Sequence, residues 1–526
     1  MVNDRVERVR GANDVLPKNY ESVKRIENEL GTCFASYGYR PIDVPVIEYT
    51  DLYLRKSGEE LISRLYDFTF QSRRLCLRPE MTASVMRAYV ENLQEAPLPV
   101  RLYYTGPVFR YEKPQRGRYR QFTQMGVEVI GAATPVADAE LLQLACKGLT
   151  RLGLRQHHAV IGHIGILVNF LDRLALESRV SRFLLTQMEM LRKEGSQTVA
   201  DRLAEVYPAL GTEGHRTPAD RTRPAPSPRP MNAPNVEGSL EIIEAMDQSE
   251  ARTVVLSLLE GMTIKLDSLR DPDEIVGRLL AKMKRQDQSP KIREALMFMN
   301  ELGQLVGEPA TVLREAEQLL AAHAVDRSPL DHLRATIENL EHYEMNWEHV
   351  ALNLGLTRGV YYHTGMVFEI EHGSAGEERQ LCGGGRYDGL VTSLGGRKDT
   401  PAAGFSFGLE RLLHALEDEE TGTTSRAESK VDALVVPVSA QDLPYAVSVA
   451  EQLRNSGLAV EMAIRDRSVA GNFRYADKRK MPFAVIVGSE ESAASVVVLK
   501  DLALRTTQRL PVSDAVLQVH AARSRP

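Results

Sequence analysis

At 526 residues the chain is longer than one hydrophobic core serves, so two to four domains are expected. Hydrophobic residues at 43% and charged residues at 26% describe an ordinary soluble protein, and a formal charge of −6 excludes a wholesale basic surface for nucleic acid. Any such contact must be local. Cys33, Cys76, Cys146 and Cys382 form no CxxC pair and no CxxH cluster, which argues against a structural zinc or other protein-held metal and suits a reducing compartment. No apolar run reaches membrane-spanning length, and MVNDRVERVRG lacks the apolar core of a signal peptide, so the expected location is the cytoplasm, with no membrane partner.

In chain order, RGANDVLP (10–17) is extended and turn-rich, and Tyr20 to Tyr37 carries Val23, Ile26, Leu30 and Phe34 at helical spacing, with Gly38 as the stop. YRPIDVPVIEYTDLY alternates around Pro41 and Pro45 and predicts an edge strand or a strand entering an interface. LCLRPEMTASVMRAYVE runs from a short strand into a helix beginning near Met81, with Glu80 and Thr82 at the junction. Free backbone N–H groups and a carboxylate at a helix N-terminus can meet an ammonium group; Glu80 as a plain first-turn acid is the competing reading.

Residues 101–131, RLYYTGPVFRYEKPQRGRYRQFTQMGVEVIG, read as strand, loop, strand, because Pro114 and Gly117 break the polar middle. Residues two or four apart on a strand share a face, so Arg110 with Glu112, and Gln124 with Glu128, give a cleft a charged floor. A fixed guanidinium beside two carboxylates suits a zwitterionic or phosphorylated ligand, against the plain alternative of a solvated hairpin.

TPVADAELLQLACKGLTRLG is helical, AVIGHIGIL is a short strand ending at a turn, and 167–207 reads as two helices with Leu184, Met188 and Leu191 on one face. Residues 211–239 hold six prolines and little that is apolar, which predicts a disordered surface loop. Helical spacing returns over 239–336. NLGLTRGVYYHTGMVFEIE has strand character with Tyr361, Tyr362 and His363 as polar rims, LCGGGRYDGLVTSLGG brings three glycines that let backbone approach a ligand, and PAAGFSFGLERLLHAL feeds a strand into a helix. After the polar linker 418–430, VDALVVPV, LPYAVSVAEQLRNSG, LAVEMAI, SVAGNFRYADKRK and FAVIVG form a βαβαβ array with a parallel sheet, to which VVVLKDL and TTQRLPV are antiparallel additions. Lys478, Arg479 and Lys480 make a local basic patch suited to phosphate, or else a solvated helix end.

The FRYE…GRYRQF hairpin resembles the second signature of class II aminoacyl-tRNA synthetases and is most similar to histidyl-tRNA synthetases. The proline-bearing stretch around Pro41 resembles the first signature, PAAGFSFGLERLLHAL the third, and RYADKRKMPFAVIVG the anticodon-binding domain; together the resemblance covers about 8–160 and 346–520. It implies an α/β protein: a class II catalytic domain in two parts (1–160 and 346–417) around an antiparallel sheet, a mostly helical insertion (161–345), and a C-terminal anticodon-binding-like domain (431–526).

The implied activity is histidine activation with ATP and Mg2+ and transfer to tRNA(His), by a homodimer. The resemblance puts ATP on Arg110, Glu112, Arg118, Phe122 and Arg411, with Arg110 and Arg358 on the α-phosphate as catalytic groups. It puts histidine on Glu80, Thr82, Gln124, Glu128, Tyr362, His363 and Tyr387, and tRNA on Gln115 and Arg116 in the hairpin loop and on Lys478 and Arg479. Where the family reads RGLDYY this chain reads RGVYYH, and YHTG is the wording of the regulatory subunit of ATP phosphoribosyltransferase. The alternatives implied are therefore a non-charging histidine sensor in that role, or an RNA-binding sensor that keeps the fold without turnover.

Overall fold

The computed structural model describes residues 6–57, 64–207, 288–343, 345, 347–357, 362–373, 380–419, 431–465 and 467–523. The Pro-rich stretch 211–239, much of the segment 239–336, Arg358 and nearly all of the linker 418–430 lie outside them.

Helix α1 (Pro17–Ser36) buries Ile26, Leu30 and Phe34 at the expected spacing. It ends just before Gly38, whose φ of +80° takes the chain out of the helix at little steric cost. The proline-bearing stretch is two strands rather than one: β1 (Arg40–Pro41) is the edge of the main sheet, while β2 (Ile47–Tyr49) belongs to a separate three-stranded sheet with β3 (Tyr66–Phe70) and β4 (Arg73–Leu77). Pro41 and Pro45 lack the N–H that one continuous ladder needs. Between β2 and β3 lies α2 (Thr50–Ser57), and α3 (Thr82–Asn92) follows β4.

The hairpin strands are β5 (Val100–Phe109) and β6 (Gln121–Ile130). β5 stops one residue before Arg110, so Arg110 and Glu112 sit in the loop rather than on the strand. Helix α4 (Pro135–Leu152), closed by Gly153 in the left-handed region, leads to β7 (His157–His163).

The expected pair of helices over 167–207 is instead the end of α5 (Ile164–Leu174) and then α6 (Ser178–Leu185), α7 (Met188–Glu194) and α8 (Ser196–Val206). One- to three-residue breaks, such as Gly195 at φ +87°, leave the apolar spacing almost undisturbed. The described part of the next segment is α9 (Ser289–Gln304), the two-residue strand β8 (Val306–Gly307), α10 (Pro309–Ala322) and α11 (Ser328–Glu341).

Next come β9 (Val350–Asn353), β10 (Met366–His372), β11 (Gln380–Arg386), α12 (Leu390–Ser393), β12 (Ala402–Gly408) and α13 (Leu409–Glu419). Tyr362 and His363 precede β10 and sit in the turn that enters it. The main sheet runs β1-β5-β6-β12-β11-β10-β7-β9-β8, antiparallel except for β1 with β5 and β7 with β9. The glycine run lies inside β11, where the chain itself fills the space. A Cβ on Gly384 would sit 2.5 Å from the Gly404 carbonyl, and one on Gly385 would sit 2.9 Å from His363 Nδ1.

The chain divides into two compact units, Met1–Asn13 with Ile26–Glu419 and Asp14–Arg25 with Glu420–Pro526. The second holds β13 (Ala433–Pro437), α14 (Leu443–Asn455), β14 (Val460–Met462), α15 (Val469–Lys478), β15 (Phe483–Val487), α16 (Ser489–Ala494), β16 (Val496–Asp501), β17 (Thr507–Pro511) and α17 (Val512–Arg523). Its sheet order is β14-β13-β15-β16-β17, with β13, β14 and β15 parallel and β16 and β17 antiparallel, as the sequence predicts. Among the described residues no helix is long and apolar enough to cross a membrane.

Candidate functional site

Two clusters of side chains lie on the hairpin and the strands beside it. The first is a buried pocket. Alternation on β6 sends Gln124 and Glu128 to one face, opposite Gly106 and Leu102 of β5. Gln124 Oε1 accepts from the Met81 N–H at 3.0 Å, and its Nε2 donates to Ser406 Oγ at 2.7 Å, so the amide is fixed in one orientation between α3 and β12. Glu80 accepts from the backbone N–H of Thr82 at 2.7 Å and of Ala83 at 3.1 Å, holding its carboxylate at the start of α3. Glu80 thus acts as a helix cap whatever else it binds.

Tyr104 donates its hydroxyl to Glu128 Oε1 at 3.1 Å. Burial, then the Glu128 charge, pushes the Tyr104 phenol well above its ordinary range, so it stays a donor. Gly404 of β12 lies opposite Glu128, and any Cβ there would collide with Glu128 Oε2 and the Val127 carbonyl and lie 2.5 Å from the Tyr387 hydroxyl. The missing side chain is what lets that carboxylate and that phenol approach each other. The Tyr387 hydroxyl is buried with no hydrogen-bond partner among the described residues, as expected of a group that serves a ligand.

The wall is aromatic: the His363 ring is 4.6 Å from Tyr362 and 6.0 Å from Tyr387, and Tyr362 and Tyr387 are 5.5 Å apart. His363 is buried, and its Nδ1 donates to the Arg386 carbonyl at 3.3 Å. A carbonyl can only accept, so this contact sets which ring nitrogen carries the proton.

The second cluster is cationic. Arg110 donates Nε to the Pro79 carbonyl at 2.8 Å, and its guanidinium lies 5.3 Å from the Phe122 ring centroid. Arg411, from the first turn of α13, donates to the carbonyls of Gly117 at 3.0 Å and Gln380 at 2.8 Å. Burial, then the charges of Arg118 and Arg110, pulls the Arg411 pKa down, against the smaller opposing effect of Glu112 and Glu369. Arg118 reaches Glu112 at 3.7 Å. Arg118 and Arg110 thus both lie near enough to Arg411 to act on its charge, a convergence of cations that suits a polyanion. Glu410 is bound elsewhere: both its oxygens accept from the Thr123 N–H, at 2.8 and 3.0 Å, and burial raises its pKa.

The expected tRNA-binding residues lie in the hairpin loop and in the second unit. Gln115 and Arg118 close the loop through reciprocal backbone hydrogen bonds of 3.0 Å, and Arg116 pairs with Asp418 at 2.9 Å on an exposed surface. Arg479 pairs with Glu461 at 2.9 Å in the second unit, and Lys478 is the last residue of α15. Sequence reasoning missed Tyr104 and Ser406. Tyr104 had a usable signal, since it lies two residues along β5 from Gly106, which faces Gln124 in the ladder. Ser406 had none, because its role depends on pairing with Gly126 across 280 residues of sequence, a register of the kind seen in β6 and β12. Among the described residues no group of three or more His, Cys, Asp or Glu is placed to hold a metal ion.

The family model for histidyl-tRNA synthetase matches residues 11–260 and 275–412, and that for the anticodon binding domain matches 432–521. The histidine–tRNA ligase of Pyrococcus furiosus is 30% identical, with 97% of this chain and 98% of the relative covered. That of Methanocaldococcus jannaschii is 29% identical, with 94% of each covered. Among solved structures, apo Staphylococcus aureus histidyl-tRNA synthetase has a TM-score of 0.62 at 22% identity over 98% of this chain and all of that one. A Bacillus halodurans protein described as an ATP phosphoribosyltransferase regulatory subunit/histidyl-tRNA synthetase has a TM-score of 0.59 at 22% identity, covering 92% and 98%. At that identity the two structures establish the fold, a large sheet with flanking helices. On the extent of the family match and the 30% identity over nearly its whole length, the chain belongs to the histidyl-tRNA synthetase family.

Proposed function

We propose that this chain is a histidine–tRNA ligase that activates histidine with ATP as its Mg2+ complex and transfers it to tRNA(His). The observation that carries the reading is that a cluster of cations (Arg110, Arg118, Arg411) and a buried pocket (Glu128, Tyr104, Tyr387, His363) share one hairpin and one short segment: Arg110 bonds the Pro79 carbonyl, and Gln124, beside Glu128 on the same face, bonds the Met81 N–H. In this reading Phe122 stacks on adenine, with Arg110 across its face; Arg118 and Arg411 take the outer phosphates and Glu112 orients Arg118. Arg358, outside the described residues, is assigned to the α-phosphate with Arg110. Glu80 and Thr82 receive the amino group of histidine, Gln124 its backbone, and Glu128, Tyr362, His363 and Tyr387 its imidazole. Glu128 offers the acceptor that a ring N–H needs, and Tyr104 fixes its carboxylate.

With both substrates held, the histidine carboxylate attacks the α-phosphorus in line, an O–P bond forms, and pyrophosphate leaves with the bonding pair. The arginines stabilise the charge that develops, and positioning supplies the rest of the rate. The terminal ribose hydroxyl of tRNA then attacks the acyl carbon and AMP leaves. Gln115 and Arg116 are assigned to the acceptor end; the exposed Arg116–Asp418 pair costs little to open. Lys478 and Arg479 are assigned to the tRNA at the second unit. The proposed domains are catalytic parts 1–160 and 346–417, the insertion 161–345 between them, and 431–526 as the anticodon-binding part. No disulfide joins the four cysteines, all of them buried, which suits a cytoplasmic enzyme.

A homodimer is supported by the three-stranded sheet, which leaves Ile47, Tyr49, Phe68 and Phe70 between 41% and 59% exposed along β2 and β3. An apolar sheet face of this kind marks an interaction surface. Replacing Phe68 and Phe70 together with Asp is expected to convert a dimer to a monomer in sedimentation equilibrium.

His363 favours one second reading, a histidine-binding regulatory subunit, since the turn has the wording of such proteins. The arginine cluster weighs against it, because a sensor of histidine alone needs no polyanion site. Exchange of labelled pyrophosphate into ATP by the purified chain decides: exchange with histidine and not with other amino acids is expected, and histidine binding without exchange overturns the ligase reading.

A further inference from the structure

We propose that His332, on the helical insertion, is a positioning residue for the imidazole pocket, acting through Asp138 and Arg386 on the turn that carries His363. The proposal rests on the pocket reading above. His332 lies on α11, which packs on α4, and its Nε2 is 2.8 Å from Asp138 Oδ2. Asp138 is fully buried, and its Oδ1 takes Arg386 Nη2 at 2.5 Å while its Oδ2 also takes Arg386 Nε at 3.2 Å. Burial works against the Asp138 charge, but the hydrogen bonds from His332 and Arg386 outweigh it and hold the carboxyl below its ordinary range. Arg386 spends its remaining nitrogen on the Ala132 carbonyl and on Asp388 Oδ1, each at 2.9 Å.

The last link is the backbone. The Arg386 carbonyl accepts from the Thr364 N–H at 2.8 Å and from His363 Nδ1 at 3.3 Å. A Cβ on Gly365 would lie 2.9 Å from Arg386 Cδ, so the turn lies directly on the arginine stem. A side chain on the insertion is thus connected, through one carboxylate and one guanidinium, to the ring that walls the pocket. His163 fills the space beside it, 5.8 Å from His332; burial pulls its pKa down to about 3, so it stays neutral. Supporting groups of this kind set the precision of the residues they hold.

His332 is the member that can be removed cleanly, because Asp138 and Arg386 still neutralise each other without it. His332→Ala is expected to weaken histidine binding about tenfold, by calorimetry, with the ATP affinity within about twofold and the circular dichroism unchanged. His332→Gln, whose amide can donate to the same oxygen, is expected to recover most of the loss. A purely structural role would lower thermal stability without separating histidine from ATP. A folded His332→Ala chain that binds histidine like the parent, or loses ATP equally, overturns the proposal, as does a parent that binds no histidine. If the parent binds histidine but catalyses no exchange, the ligase reading falls while the calorimetric comparison still decides the role of His332.

Discussion

Arg110→Ala is expected to lower histidine-dependent pyrophosphate exchange by about 10²- to 10³-fold, the usual effect of removing one preorganised donor from a developing charge. The Arg110 side chain donates Nε to the Pro79 carbonyl, and its guanidinium lies over the Phe122 ring at the foot of the hairpin. Truncation takes this donor from the carbonyl of the buried Pro79, so a stability loss of about 1–3 kcal/mol is expected beside the kinetic effect, too small to unfold the chain. Arg110→Lys should recover only part of the rate, because a point charge cannot reproduce a planar fork that also lies over an aromatic ring. Exchange at the parent rate in a folded Arg110→Ala chain would remove this residue from the mechanism.

The second large effect is on stability. Asp138→Ala leaves the Arg386 guanidinium, 3% exposed, with the half-buried Asp388 as its one carboxylate partner among the described residues. Losing one member of a buried ion pair costs about 3–5 kcal/mol, which should appear as a lower denaturation midpoint with an unchanged slope. The pH dependence has a definite sign. The folded-state pKa of Asp138 lies below its ordinary value of 3.8, so the parent has this stabilisation in full above that value and loses it as pH falls through the folded-state pKa. Asp138→Ala should therefore narrow the gap to the parent in acid, and a gap that stays constant down to the acid transition would contradict the pairing.

Much of this architecture was legible in the sequence because it rests on local signals. The hairpin followed from two alternating runs around Pro114 and Gly117, and the parallel part of the second sheet from strand and helix patterns in alternation. The resemblance to class II synthetases likewise rested on short motifs, each within one element or turn. What the sequence hid depends on contacts between distant residues. Nothing about Asp138, in a run of alanines and leucines, indicates that it meets Arg386, 248 residues away, or His332, 194 residues away. The glycines of β11 read as room for a ligand, yet at Gly384 and Gly385 the neighbouring strands and His363 occupy that room, and Gly404 of the next strand is the one that admits Glu128 and Tyr387. Nothing in the sequence marks Arg78 as buried, since an arginine after a strand usually faces water. Here it is 2% exposed, tying Pro107, Val44 and Pro45 together through their carbonyls.

The most direct measurement is charging itself: the purified chain, a tRNA(His) transcript, Mg-ATP and labelled histidine, with acid-precipitable label followed over time. Label should accumulate on tRNA(His), stay absent when ATP is omitted, and stay absent from a tRNA for another amino acid. A chain that binds histidine yet leaves every tRNA unlabelled, in conditions where an authentic synthetase labels it, would contradict the account.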